Sequence, residues 1–260
     1  MLIISDTNNQ IVKASPEIIL FDKDGTLIDI HHYWSSMIRL RGALIVNTWF
    51  KNHTNKEKIE RALINSMGVD LSSGKIKAEG PVGIKPRKFI ANIASKIVCS
   101  YGVKINDSDM EKIFLEIDKV TSKDMMPLLK PLPGLFGLLK NLHQNDISMA
   151  VVSSDITSRT LLALKSLKID HFFTEIIGAD KVKKTKPSSD LAILVSKKTG
   201  IKLDKMMVIG DNPVDIKMGL LAKINLNVAV LTGLSDIKSF EGLNCTVISD
   251  LNSIEVMNAK

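Results

Sequence analysis

Short apolar runs that end in polar residues recur along this chain. They are Ile18-Ile19-Leu20 and the runs near residues 147–152, 174–178, 206–209, 227–231 and 245–249. Runs of this length, rich in branched residues, predict buried strands. From Leu135 onward they alternate with segments of helical periodicity. This alternation predicts an α/β domain with a doubly wound parallel sheet.

The segment between Thr26 and Leu132 has a different pattern, because its apolar residues recur at helical spacing in four groups. The groups are Trp34, Met37, Ile38 and Ile45; Ile59, Leu63 and Met67; Ile90, Ile93, Ile97 and Tyr101; and Met110, Ile113, Phe114 and Ile117. A proline cluster from Pro127 to Gly134 then interrupts helix formation. We therefore expect residues 30–129 to form an inserted helical domain, and residues 1–29 and 130–260 to form the α/β core.

Two carboxylates separated by one residue follow the first predicted core strand. In an extended strand alternate side chains share a face, so Asp22 and Asp24 should project the same way and Lys23 the opposite way. Gly25 and Thr26 favour a sharp turn at the carboxyl end of the strand, where open α/β sheets place ligands. A strand end with two solvated acids is the simpler alternative for this segment taken alone.

Later segments place further polar side chains at or beside strand ends. These side chains are Ser153, Lys186, Asp211 and Asp215. Taken singly, they are compatible with a helix cap, a solvated lysine, a turn residue and a first-turn acid, respectively. Two helices are expected beside them, one capped by Ser188 or Ser189 and one beginning at Pro213. The shared order and placement of these side chains favour a single functional site.

The chain resembles the haloacid dehalogenase superfamily, and within it the phosphoglycolate-phosphatase-like phosphatases. The resemblance rests on Asp22-Lys23-Asp24-Gly25-Thr26, Ser153, Lys186-Pro187 and Gly210-Asp211 with Asp215, which occur in the family's order, and it spans roughly residues 17–233. Ser188 and Ser189 depart from the pattern, since a second proline is often found there, and Lys223 stands where glycine is common. The resemblance implies a Rossmann-like core, with the helical insertion as a mobile cap over the active site.

A divalent cation is part of what the resemblance implies. Its ligands would be the carboxylate of Asp22, the backbone carbonyl of Asp24 and the carboxylate of Asp211, with Asp215 orienting the shell. A ligand set made of oxygen atoms alone selects Mg²⁺. A cation of this kind removes the repulsion between a carboxylate and a phosphate dianion.

The same resemblance implies a catalytic role for four side chains. Asp22 would attack phosphorus and form an aspartyl-phosphate. Asp24 would protonate the leaving alcohol and then take a proton from the hydrolytic water. Ser153 and Lys186 would contact the phosphoryl oxygens, where charge accumulates during transfer.

We therefore expect a phosphatase that acts on a small phosphorylated metabolite. A phosphotransferase or phosphomutase on the same scaffold and a catalytically silent binding module remain alternatives. A dehalogenase is disfavoured, because halide departure does not require the acid that Asp24 offers. The substrate-selecting residues are not identified by the sequence. Candidates in the insertion are His31, His32, Arg39, Arg41 and Arg87, although such residues more often lie on solvated helix faces.

Composition and charge narrow the class of partner. With 260 residues, 45% hydrophobic and 24% charged, the chain has the composition of a globular protein. Its net charge of +7 would suit a polyanion, but lysines are spread along the whole chain and aromatic residues amount to only 5%. No nucleic-acid partner is therefore expected. No apolar run approaches the length that spans a bilayer, so no membrane partner is expected either.

The two cysteines and the first ten residues of the sequence bear on the cellular compartment of the protein. Cys99 and Cys245 lie far apart and belong to no metal-type pair, so both are expected to be buried free thiols of a reducing cytosol. The segment Met1–Gln10 lacks the basic start of a secretory signal. We expect a cytoplasmic protein that is a monomer or a homodimer.

Overall fold

The computed structural model describes residues 1–77, 79–82 and 85–257. The chain divides into two compact units, a core that contains Met1–Asp29 and the chain from Leu129 onward, and an inserted unit, Ile30–Leu128. In the described ranges, none of the helices combines the length and the apolar character needed to cross a membrane.

Nine strands are present in the described part of the chain. They are β1 (Leu2–Ser5), β2 (Ile11–Ala14), β3 (Ile18–Phe21), β4 (Ser148–Val152), β5 (Glu175–Ile177), β6 (Met206–Gly210), β7 (Leu226–Val230), β8 (Thr246–Ile248) and β9 (Ile254–Val256). Each of the six apolar runs noted in the sequence forms one of the strands β3 to β8. The sequence analysis did not predict β1, β2 and β9.

Eight α-helices are described alongside the strands. They are α1 (Ile30–Trp49), α2 (Lys56–Ser66), α3 (Arg87–Ser100), α4 (Asp107–Thr121), α5 (Leu135–Gln144), α6 (Thr157–Ser166), α7 (Asp190–Thr199) and α8 (Pro213–Leu221). Short 3-10 helices cover Met126–Leu128, Asp170–Phe172, Ala179–Lys181, Leu203–Lys205, Ile237–Phe240 and Leu251–Ser253. The inserted unit thus consists of α1 to α4, the connections between them and one 3-10 turn.

The core is built on a parallel sheet with the order β5-β4-β3-β6-β7-β8. Ile18 at the start of β3 pairs with Ser148 of β4 on one side and with Met206 of β6 on the other. All four residues of β3 are buried, as expected for a parallel strand covered on both faces. The predicted doubly wound α/β core is confirmed. Because the strand order reverses between β3 and β6, the carboxyl ends of these two strands form the crevice in which such sheets bind ligands.

A second, three-stranded antiparallel sheet has the order β2-β1-β9. Leu2 and Ile4 of β1 are buried, whereas Ile11 of the edge strand β2 is 56% exposed. Thr7 N donates a hydrogen bond to Val247 O, which ties this sheet to the strand β8. Its strands are three or four residues long and mix buried with partly exposed positions, which weakens the apolar pattern that marks a strand in the sequence.

The apolar faces predicted for the insertion are partly correct. Every member of the groups around Leu63 and Phe114 is buried. In α1, however, Tyr33 is buried while Trp34 is only half-buried. The buried stripe of α3 contains Ile90, Ala91, Ala94 and Val98 in place of the expected Ile90, Ile93, Ile97 and Tyr101. Helix α3 packs against α2 and α4, and two of the four residues in its buried stripe are alanines.

The expectation of buried cysteines was wrong. Cys99 and Cys245 are both free thiols, but Cys99 is exposed and Cys245 is only partly buried. Cys99 lies in the last turn of α3 beside the exposed Ser100, outside the packed stripe of that helix.

The two chain segments that leave and re-enter the core run side by side. Ile28 and Pro131 form an antiparallel bridge. Asp29 N donates to Lys130 O at 2.8 Å, and Leu132 N donates to Leu27 O at 3.0 Å. Backbone hydrogen bonds within the core therefore join the segment that leads into the inserted unit to the segment that returns from it.

Candidate active site

Three buried carboxylates meet at the carboxyl ends of β3 and β6. Asp22 follows β3, and its N–H continues the ladder by donating to Ile209 O at 2.9 Å. Asp211 follows β6, and Asp215 lies in the first turn of α8. One oxygen from each carboxylate lies within 4.8 Å of the others, and all three residues are buried. The strand pairing thus brings together side chains that are almost 200 positions apart.

Lys186 supplies the positive charge in this cluster. Its Nζ lies 2.6 Å from Asp22 Oδ1 and 2.6 Å from Asp215 Oδ1, and the lysine side chain is 1% exposed. Burial opposes the charge of the ammonium group, but the carboxylates of Asp215 and Asp22 outweigh burial and raise the pKa of Lys186. The lysine therefore stays charged, and the interpretation of Lys186 as a solvated surface side chain is excluded.

Burial also changes the acidity of the carboxyl groups. It raises the pKa of Asp215 to about 6, although the charge of Lys186 acts in the opposite direction. Burial and the neighbouring charges of Asp22 and Asp215 raise the pKa of Asp211 well above its usual value. Three carboxylates facing one ammonium group form an oxygen-rich site with excess negative charge. Such a donor set fits a hard divalent cation.

Two glycines leave the space that the carboxylate of Asp211 occupies. A Cβ atom on Gly25 would lie 2.4 Å from Asp211 Oδ2, and one on Gly233 would lie 1.7 Å from the same oxygen. Gly25 also has a left-handed φ of +93°, which disfavours any other residue. Thr232 Oγ1 donates to Gly25 O at 2.6 Å, so the end of β7 holds this turn in place.

Asp24 lies beside the triad with its carboxyl group largely withdrawn from solvent. Its Oδ2 is 3.0 Å from Lys23 Nζ, and its Oδ1 is buried without a hydrogen-bond partner in the described residues. Burial raises the pKa of Asp24, even though the neighbouring Lys23 lowers it. The prediction that Lys23 points away from Asp24 was wrong. Strand β3 ends at Phe21, so the alternation of an extended strand does not continue through these residues.

Ser153 stands at the carboxyl end of β4, the strand next to β3, and is 2% exposed. Its backbone N–H donates to Ile177 O at 2.9 Å. Its Oγ accepts a hydrogen bond from Asp155 N at 3.1 Å. Since this contact uses a lone pair of the hydroxyl group, the hydroxyl hydrogen remains available for an acceptor. Ser153 does not cap α6, whose N-cap residue is Ile156.

Sequence reasoning missed one buried part of the site, the contact between Lys23 and Asp155. Lys23 Nζ lies 3.1 Å from Asp155 Oδ2, and the lysine side chain is 1% exposed. The available signal was the position of each residue, since both come within three residues of the end of adjacent parallel strands. Their charge made solvent exposure the default expectation for both.

Two arginines considered for substrate contact have partners inside the inserted unit. Arg41 is buried, lies 3.3 Å from Asp118 Oδ1 and stacks over the ring of Phe114 at 4.2 Å. Arg87 pairs with Asp118 and, at 2.9 Å, with Glu111. Their contacts join α1, α3 and α4, so both side chains stabilise the helical packing of this unit.

Comparison with known proteins gives relatives with phosphatase names. The chain is 25% identical to the pyrophosphatase PpaX of Oceanobacillus iheyensis over 85% of its own length and 88% of that protein. It is 29% identical to PpaX of Halalkalibacterium halodurans over 39% of its own length and only 47% of the relative. It is 25% identical to the phosphoglycolate phosphatase of Pseudomonas fluorescens over 77% of its own length and 64% of the relative.

This chain is also similar to solved structures and matches a family model. The crystal structure of a putative β-phosphoglucomutase from Thermotoga maritima has the same fold, with a TM-score of 0.65 and 21% identity over 90% of this chain and 96% of the other. Residues 83–230 match the model of the haloacid dehalogenase-like hydrolases, which confirms the resemblance based on the sequence motifs. The chain belongs to the haloacid dehalogenase-like hydrolase family.

Proposed function

We propose that the protein is a Mg²⁺-dependent phosphatase that hydrolyses a small phosphorylated metabolite through an aspartyl-phosphate on Asp22. The observation that carries this proposal is the buried cluster of Asp22, Asp211 and Asp215 around Lys186. The names of the relatives, pyrophosphatase and phosphoglycolate phosphatase, support phosphoryl hydrolysis as the reaction class.

The metal site would be formed by Asp22, Asp211 and the backbone carbonyl of Asp24, with Asp215 orienting the others. When bound, Mg²⁺ would neutralise the repulsion between a carboxylate nucleophile and the phosphoryl group. The chain's contribution is to hold the three carboxylates together before the ion arrives. Gly25 and Gly233 leave the space for this arrangement.

Asp22 would act as the nucleophile. One of its oxygens attacks phosphorus, the bond from phosphorus to the leaving oxygen breaks, and an acyl phosphate forms on the carboxylate. Lys186 binds Asp22 and Asp215 with two of its N–H groups, which leaves a third N–H for a phosphoryl oxygen. Ser153 would donate its free hydroxyl hydrogen to another phosphoryl oxygen.

Asp24 would transfer the protons. Its buried carboxyl group, with a raised pKa, can hold a proton and deliver it to the oxygen of the leaving alcohol. The resulting carboxylate then takes a proton from the water that attacks the phosphorus of the aspartyl-phosphate. Hydrolysis releases inorganic phosphate and regenerates both carboxyl groups.

A phosphatase assay with the purified protein, residues 1–260, tests the proposal. The panel contains phosphoglycolate, pyrophosphate, sugar phosphates, nucleotides and phosphorylated amino acids, ranked by kcat/KM. Release of phosphate that requires Mg²⁺ and disappears in the Asp22→Asn variant is the expected result. Phosphoryl transfer to an added sugar without release of phosphate would instead indicate a phosphomutase. A protein that turns over none of these compounds would overturn the proposal in favour of a binding module.

A further inference from the structure

The lysine between the two acids of the first motif lies inside the core. Lys23 Nζ is 3.0 Å from Asp24 Oδ2 and 3.1 Å from Asp155 Oδ2. A buried ammonium group is unfavourable unless charged or polar partners replace the water that it loses. Its position between two carboxylates therefore constrains all three side chains. The roles proposed for the other buried charges of the site do not account for this contact.

Asp155, one of the two carboxylates that contact Lys23, is held in place by several hydrogen bonds. Its Oδ1 accepts from Ile156 N at 2.8 Å, and its backbone carbonyl accepts from Ala179 N at 2.9 Å. Its own N–H donates to Ser153 Oγ at 3.1 Å. Gly178 permits this close packing, because a Cβ there would lie 2.4 Å from Asp155 O.

Asp24, the other carboxylate that contacts Lys23, has fewer contacts that fix its side chain. Its Oδ1 has no hydrogen-bond partner in the part of the chain that the structure describes, and its Oδ2 contacts Lys23. The next residue, Gly25, has a left-handed backbone, so the chain turns directly after Asp24. The contact with Lys23 engages Oδ2, so Oδ1 is the carboxyl oxygen that makes no hydrogen bond among the described residues.

We propose that Lys23 is a positioning residue, which together with Asp155 orients the carboxyl group of Asp24 for proton transfer to the leaving oxygen. The inference rests on the proposed function in taking Asp24 as the acid of a phosphatase. It further couples Asp24 to Ser153, because Asp155 contacts Lys23 through its carboxylate and Ser153 through its backbone N–H.

The test compares two substrates that differ in their need for an acid. 4-Nitrophenyl phosphate has a leaving group that departs without protonation, whereas glycerol phosphate releases an alkoxide that must be protonated. The ratio kcat/KM reports the steps up to the departure of this group and excludes hydrolysis of the aspartyl-phosphate. General acid catalysis contributes about 10² to 10⁴ in rate.

Lys23→Met removes the ammonium group and keeps the length of the side chain. We expect kcat/KM for glycerol phosphate to fall by about 10²-fold, and that for 4-nitrophenyl phosphate by less than about tenfold. The variant Asp24→Asn shows how large the difference between the two substrates becomes when the acid itself is removed. Lys23→Arg keeps the positive charge and should restore much of the lost kcat/KM for glycerol phosphate. The matched control is Lys198→Met. It removes a half-exposed lysine of the core whose Nζ lies 2.8 Å from Glu175 Oε2. This variant should leave kcat/KM unchanged for both substrates.

Equal losses for both substrates would mean that Lys23 only stabilises the fold, and would overturn the proposal. A crystal structure of Lys23→Met gives a second readout that does not depend on activity. We expect the carboxyl group of Asp24 to adopt a different or divided orientation, while Asp22 and Asp211 stay in place. An unchanged Asp24 would refute the positioning role even if the wild-type protein proved not to be a phosphatase. Should Lys23→Met fail to fold, the same two measurements on Asp155→Asn decide the question.

Discussion

Lys186 Nζ lies 2.6 Å from Asp215 Oδ1, and neither side chain is more than 3% exposed. Because breaking a buried ion pair leaves an uncompensated charge, Lys186→Met should lower the free energy of unfolding by about 3–5 kcal/mol in the absence of metal. Urea denaturation in EDTA measures this loss. The control variant Lys198→Met breaks a half-exposed pair and should cost at most about 1 kcal/mol. Equal losses in the two variants would show that the pair contributes little to stability.

Asp22→Asn should abolish turnover without unfolding the protein. The amide has nearly the shape of the carboxylate but cannot attack phosphorus, so we expect kcat to fall by at least about 10³-fold. Phosphate release measures the activity, and thermal unfolding monitors the fold. Substantial residual activity in this variant would exclude Asp22 as the nucleophile.

Gly233→Ala should weaken the binding of Mg²⁺. The added Cβ would lie 1.7 Å from Asp211 Oδ2, so the carboxylate must move out of the cluster. We expect the Mg²⁺ concentration for half-maximal activity to rise by about tenfold, equivalent to about 1.4 kcal/mol. Gly137→Ala is the matched control, since nothing lies within 4 Å of its added Cβ. An unaltered Mg²⁺ requirement in Gly233→Ala would contradict the assignment of Asp211 as a ligand.

The stability of the metal-free protein should decrease as the pH rises from 3.8 to about 6. Folding raises the pKa of Asp215 from 3.8 to about 6, so the folded state binds this proton more tightly than the unfolded state. Unfolding therefore releases protons in this window, and each pH unit removes up to about 1.4 kcal/mol of stability. The difference between the wild-type protein and Asp215→Asn, measured by thermal unfolding in EDTA, isolates this contribution.

The same linkage makes stabilisation by Mg²⁺ depend on pH. A cation that binds the ionised carboxylates competes with their protons, so Mg²⁺ should raise the Tm more at pH 7.5 than at pH 5. Equal stabilisation at both pH values would argue against a cation bound by Asp211 next to Asp215.

The parallel sheet was predictable because its central strands, β3, β4, β6 and β7, are almost fully buried and largely apolar. The edge strands β5 and β8 are only partly buried. All six strands lie within two residues of the predicted bounds. Pro213 correctly marked the start of α8, where Asn212 and Asp215 form a capping box. Ser189 does occupy the N-cap position of α7, but its side chain makes no capping hydrogen bond. The antiparallel sheet was missed because its strands mix buried with partly exposed positions.

The sequence predicted that the residues of the candidate site lie at strand ends, but it did not predict which side chains contact one another. Parallel pairing explains why Asp22 and Asp211 meet, since β3 and β6 are neighbours. Nothing local to Lys186 shows that its side chain is buried, because the six residues 181–186 contain three other lysines. The orientation of Lys23 depends on where β3 ends, which propensity does not resolve to a single residue. The substrate and the oligomeric state, monomer or homodimer, stay predictions.

The paired segments around Ile28 and Pro131 make the helical insertion a module. Because backbone hydrogen bonds within the core join these two segments, we expect a version in which a short glycine-serine loop replaces residues 30–128 to keep the strands of both core sheets. Evolution can exchange one insertion for another at the same point without redesigning the core sheets. The insertion and the core are thus free to change separately in such a protein.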